Sequence, residues 1–247
     1  MVFSPSHHGY RAALLAITAL LCALPLSRQD SAFFSYYPDF LATAPDKTAW
    51  NKTTAYLDQW LERRSDLVKK DRHDGRFHYV EWEPRLVDEL WEALIGNNPH
   101  RQDMLRLPTR PGWTPVAFTA HLVPCVYFRR EAAFPPHMDS RSGSEQELEN
   151  LACERPIRDQ DPSPGCSTPK REVCNHAKLL LYPEAFRGGE FVLYSGAGDS
   201  SNVTIVPEPG SAVVFDLDRK HASLPLRSER KTALGLRILY TRPADAA

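Results

Sequence analysis

The chain has 247 residues, 42% of them hydrophobic, which is enough for one sizeable core; a single β-rich domain accounts for that length as well as two small domains would. Its formal net charge is −1, so no global field marks it as a binder of nucleic acid or of an acidic surface. Any substrate preference has to be local.

The first element is the apolar run Ala12 to Leu26, preceded by Arg11 and followed by polar residues from Ser27 to Ser31. It has the shape of a secretory signal peptide. The run is shorter than the roughly 20 residues of a spanning helix, and Pro25 interrupts it. Residues 1–27 are therefore expected to be a signal peptide or, as the alternative, a membrane anchor through residues 12–26. Either placement puts the protein in the secretory pathway, in the ER or Golgi lumen or outside the cell. Of five cysteines, Cys22 lies in this run, leaving Cys125, Cys153, Cys166 and Cys174. An even number in an exported chain points to disulfides. Cys125 sits in a strand-like run and reads as a buried thiol. The sequons Asn51-Lys-Thr53 and Asn202-Val-Thr204 agree with export.

Residues 28–112 read as a helical region packed on a core. Trp50, Tyr56, Leu57, Trp60 and Leu61 recur at three- and four-residue steps and predict a helix over about Ala42 to Val68. A second helix is predicted from Pro84 to Ile95, with Pro84 in its first turn, the stripe Leu86, Leu90 and Leu94, and Gly96 as its stop.

From residue 113 onward the period changes to two. Short β runs are predicted at Val116 to Phe128, Lys178 to Tyr182, Glu190 to Tyr194, Val203 to Val206, Ala212 to Phe215 and Ala233 to Tyr240. Gly188-Gly189, Gly196, Gly198 and the corner Pro207 to Gly210 separate them. Many short strands without alternating helices predict a mainly β fold with flanking helices, an antiparallel sandwich or jelly roll. The stretch 140–175 interrupts this domain (residues 113–247) as a polar, cysteine-containing insertion, either a substrate-facing rim or a surface insertion pinned by disulfides.

The chemistry is carried by two separated groups of residues. His137-Met-Asp139 places an imidazole and a carboxylate two apart, so a strand would aim both at one point. Downstream, Pro209 to Phe215 turns into an apolar strand; His221 follows, then Pro225, and Lys231 ten residues past His221. Two histidines and one carboxylate leave three coordination positions open, which suits Fe(II) that must bind a chelating cosubstrate and O₂. Alternation places Lys231, Ala233 and Gly235 on one face, with room beside a cation for a small dicarboxylate. A lysine among small inward-facing neighbours calls for an anion, because an unpaired buried charge is costly.

The order H-M-D at 137–139, L-L-L-Y at 179–182, R-G-G-E at 187–190, P-G-S-A-V-V-F at 209–215, H-A-S-L-P at 221–225 and a basic residue ten after the histidine resembles the prolyl 4-hydroxylase type catalytic domain of the Fe(II)/2-oxoglutarate dioxygenases. The resemblance spans roughly residues 118–240. It implies a double-stranded β-helix with His137, Asp139 and His221 as catalytic iron ligands. It also implies Lys231 as partner of the distal 2-oxoglutarate carboxylate, and Tyr127 as a hydrogen-bonding group to that cosubstrate. Arg230 competes with Lys231 for this role, and Arg237 is a third option. The 84 residues from His137 to His221 are more than the family pattern needs, and the 140–175 insertion accounts for the excess. The implied reaction hydroxylates a C–H bond, first of all in a peptidyl proline, with release of succinate and CO₂ and with ascorbate as reductant. Another side chain or a small molecule as substrate, a silent jelly-roll binding module, and a cupin-like metal enzyme without 2-oxoglutarate are the alternatives. His176 is a weaker ligand candidate.

Overall fold

The computed structural model describes residues 29–31, 33–46, 48–64, 75–78, 81–109, 111–139, 171–195 and 202–243. The leader at 1–27, most of the 140–175 insertion with Cys153 and Cys166, the Gly196 and Gly198 turns, and the side chains of Cys174 and His176 lie outside what is described.

Among the described residues, twelve strands and three helices follow one another in the order β1 (Gln29–Ser31), β2 (Phe34–Tyr37), α1 (Ala49–Arg63), β3 (Arg76–His78), β4 (Glu81–Trp82), α2 (Pro84–Leu94), α3 (Pro99–Met104), β5 (Thr114–Tyr127), β6 (Phe134–His137), β7 (Arg171–Tyr182), β8 (Phe191–Leu193), β9 (Val203–Ile205), β10 (Ser211–Asp216), β11 (His221–Ser223) and β12 (Lys231–Pro243). The large antiparallel sheet runs β1-β2-β10-β7-β12-β5-β3, with β4 also paired to β5; the small one runs β6-β11-β8-β9. The fold is mainly β with flanking helices, a double-stranded β-helix.

The large sheet is buried on both faces, which explains why its central strands read as continuous apolar runs rather than as alternating ones. Leu179 and Leu181 of β7, Ala212 and Val214 of β10, and Leu234 and Leu236 of β12 pack toward the helical layer with Tyr56, Leu57 and Trp60 of α1 and Leu90 and Leu94 of α2. Their neighbours Leu180 and Tyr182, Val213 and Phe215, and Ala233 point the other way and join Phe191 and Leu193 between the sheets. Residues 178, 231 and 233 share this inner parity.

Several elements differ from the sequence expectation. α1 starts at Ala49 because the Asp46 carboxylate accepts from Thr48 N at 2.8 Å and Thr48 Oγ1 at 2.7 Å just after Pro45. α2 matches its reading, and Gly96 closes it at φ +54. α3 was not read, although Asn98-Pro99 is its cap signal: the Asn98 side chain accepts from His100 N at 3.0 Å. The region taken as helical also supplies four strands, and β2 pairs with β10 from Phe34↔Phe215 to Tyr37↔Ala212. β7 begins at Arg171, so the last residues of the 140–175 stretch are strand, paired with the end of β12. At the Pro207–Gly210 corner, Gly210 takes φ +81, and a Cβ there would collide with the Trp50 indole.

Candidate metal centre

β6 and β11 are neighbours in the small sheet, and His137 stands directly opposite His221. Asp139 follows two residues past the end of β6. The three side chains each present one ligand atom, all within 4.8 Å of one another. His137 Nε2 lies 3.8 Å from Asp139 Oδ1, and His221 Nε2 lies 4.0 Å from Asp139 Oδ2.

Both imidazoles are oriented from behind. Nδ1 of His137 is 2.9 Å from Pro135 O, and Nδ1 of His221 is 3.0 Å from Arg219 O. A backbone carbonyl only accepts, so each Nδ1 carries the proton and each Nε2 turns a lone pair toward Asp139. Burial pulls both imidazoles below the usual histidine range, His221 to about 4. Both are therefore neutral near pH 7, the form that binds a metal. Burial alone would raise the Asp139 carboxyl, but the Lys178 ammonium and then the two imidazoles outweigh it and hold it at about 2. Phe215 and Phe191 wall His221, with ring centroids at 4.8 and 5.5 Å.

The large sheet faces these groups with two lysines. Lys231 begins β12, pairs in register with Tyr127 of β5 and is 2% exposed. Its Nζ donates to Ser223 Oγ at 2.6 Å and to Gly189 O at 2.5 Å. The rings of Tyr127, Phe186 and Tyr182 surround it at 4.9, 5.0 and 5.5 Å. Burial lowers the ammonium to about 7. Among the described residues no carboxylate lies within ion-pair distance of it. Lys178 of β7 is also buried and donates to Asp139 Oδ2 at 2.8 Å. His137, His221, Ser223, Lys178 and Lys231 line one cleft that also touches Tyr127, Cys125, Leu180 and Ala233.

His137, His221, Lys231 and Tyr127 thus line one cleft, with Asp139 beside the two imidazoles. Arg230 does not. As the neighbour of an inward lysine it points outward, 45% exposed, and pairs with Asp58 at 3.1 Å and Glu184 at 3.4 Å. Arg237 is buried but does not line the cleft. The space vacated at Gly235 was assigned to a dicarboxylate beside Lys231; it is filled by the Lys178 chain instead, whose Cε would stand 2.6 Å from a Cβ there. Two residues of the cleft were missed. Ser223 could have been found by stepping two from His221 along β11. Lys178 sits at the polar start of the L-L-L-Y run and has no spacing signal of its own.

No family model and no curated protein matches the chain. Among solved structures it is similar to a prolyl hydroxylase of Trichoplax adhaerens in complex with a hypoxia inducible factor peptide fragment, at 12% identity and a TM-score of 0.50, over 95% of this chain and 94% of that one. A Pseudomonas putida prolyl-4-hydroxylase aligns at 16% identity over 93% and 98% of the two chains, with a TM-score of 0.46. A 2OG-Fe(II) oxygenase family member from Burkholderia pseudomallei aligns at 14% identity over 97% and 93%, with a TM-score of 0.44. The likeness to the Trichoplax structure establishes the shared fold.

Proposed function

We propose that this chain is an Fe(II)- and 2-oxoglutarate-dependent dioxygenase that hydroxylates a C–H bond, with a peptidyl proline as the first substrate class. The observation that carries the reading is the pairing of a two-histidine, one-carboxylate group with a buried lysine across the same cleft that has no carboxylate partner among the described residues. The donor set suits iron: two neutral imidazoles with Nδ1 fixed on carbonyls, one carboxylate, and coordination positions left over. His137, Asp139 and His221 would hold the metal. The metal with 2-oxoglutarate supplies the oxidising chemistry, in which R–H, O₂ and 2-oxoglutarate become R–OH, succinate and CO₂.

The chain's own part is binding and exclusion. The Lys231 ammonium, with Ser223 and Tyr127 beside it, takes the distal carboxylate of the cosubstrate, while Tyr182, Phe186 and Phe191 keep water from the buried end. Ascorbate as reductant and a secretory location follow from the sequence reading. Of the two sequons, Asn202-Val-Thr204 is exposed at both ends, whereas Thr53 is buried with its hydroxyl on Ala49 O.

His137→Ala and Asp139→Ala are expected to abolish 2-oxoglutarate-dependent succinate formation in protein that still folds. Full turnover in either variant overturns the assignment. Proline-containing peptides, read by mass for one added oxygen, test the substrate class.

A further inference from the structure

The two oxygens of Asp139 have different neighbours. Oδ1 faces His137 Nε2 at 3.8 Å with no ammonium on it, whereas Oδ2, which lies 4.0 Å from His221 Nε2, also accepts from Lys178 Nζ at 2.8 Å. The side chains of this ion pair are 5% and 8% exposed, so it is a charge-assisted hydrogen bond out of water. Lys178 has little freedom to leave. β7 holds it in register between Phe215 of β10 and Arg237 of β12. Its aliphatic chain fills the space that Gly235 leaves open; a Cβ there would stand 2.6 Å from Lys178 Cε and 3.2 Å from Val123 Cβ.

A second cation beside a carboxylate that is to bind a divalent metal weakens the attraction for that metal. Its presence calls for another role. A carboxylate can offer a metal one oxygen or two, and the choice decides how many positions stay free. We infer that Lys178 is a positioning residue that occupies Asp139 Oδ2 and leaves Oδ1 as the oxygen offered to the metal, keeping three positions open for a chelating cosubstrate and O₂. The inference rests on the metal reading above and adds a residue to it.

Cobalt(II), added to the full chain without oxygen turnover, serves as the probe. Its visible d–d spectrum reports the coordination shell before any cosubstrate is present, and 2-oxoglutarate is then titrated in. Lys178→Met is expected to take up cobalt at least as tightly as the wild type, with a changed d–d spectrum, and to bind 2-oxoglutarate about tenfold or more weakly. Lys231→Met, by contrast, is expected to keep the wild-type cobalt spectrum and lose 2-oxoglutarate affinity alone. A Lys178→Met protein with the wild-type spectrum and affinity overturns the inference. So does one that folds but no longer takes up cobalt, because Lys178 would then only hold Asp139 in place. Should Lys178→Met fail to fold, Gly235→Ala displaces the lysine chain and is read by the same two signals. Wild-type protein that takes up no cobalt overturns the metal reading itself, which separates that failure from failure of this inference.

Discussion

Lys231→Met is expected to stabilise the metal-free protein while removing its affinity for 2-oxoglutarate. Burial lowers the folded-state ammonium from 10.5 to about 7. At about 1.4 kcal/mol per pH unit this costs about 4 kcal/mol of stability at pH 7. Methionine fills a similar volume without the charge. It forfeits the hydrogen bonds to Ser223 Oγ and Gly189 O, but those two groups keep each other, since Ser223 Oγ donates to Gly189 O at 3.1 Å. That holds the loss to about 2 kcal/mol. The net gain of about 2 kcal/mol corresponds to a rise in Tm of about 4–8 °C for a chain of this size. The folded lysine sheds its proton at a lower pH than the unfolded one, so the cost is full below about 7 and fades as pH rises toward 10.5. The advantage of the variant should therefore vanish at about pH 9 and turn into a deficit of about 1 kcal/mol at about pH 10. Urea unfolding followed by circular dichroism at both pH values measures it. A variant that is less stable at neutral pH, or whose advantage does not change with pH, refutes the reasoning.

The same lysine makes cosubstrate binding pH-dependent: 2-oxoglutarate affinity should fall above pH 7, approaching about tenfold per pH unit, because only the ammonium form neutralises the distal carboxylate. A flat calorimetric affinity over two pH units above neutrality would exclude that role. Away from the site, Arg101 is 2% exposed, donates to Leu94 O at 2.9 Å, Phe40 O at 3.0 Å and Thr43 Oγ1 at 3.0 Å, and stacks on the Phe40 ring at 3.9 Å. Arg101→Met leaves two buried carbonyls without that donor and is expected to cost about 3 kcal/mol, seen as a lower urea midpoint.

Local spacing carried the site further than it carried the fold's edges. The two-residue spacing of His137 and Asp139 is visible in the sequence, whereas His221 joined them there through the order of motifs it shares with the dioxygenase family, and the pairing of β6 with β11 that sets it opposite His137 is seen in the structure. Lys231 and Tyr127 meet because β12 and β5 pair in register. Arg230 was an open rival only because adjacent residues look equivalent until the parity of the strand is known. Lys178 depends on a contact between β7 and a residue 39 positions earlier, with Gly235 of β12 making room. No local pattern announces such a three-way fit. β2, β3 and β4 are short, and their strand character comes from partners far along the chain: β2 joins the large sheet through β10, with Phe34 opposite Phe215.

The division of labour between the sheets has a mechanical consequence. The imidazoles belong to β6 and β11 of the small sheet, and both ammonium groups belong to β7 and β12 of the large one. A dianion seated on a metal at one end and on Lys231 at the other would span the gap and act as a rivet between two leaves. Its arrival would then be felt as slowed hydrogen exchange along the small sheet, including β9, which touches neither end of it.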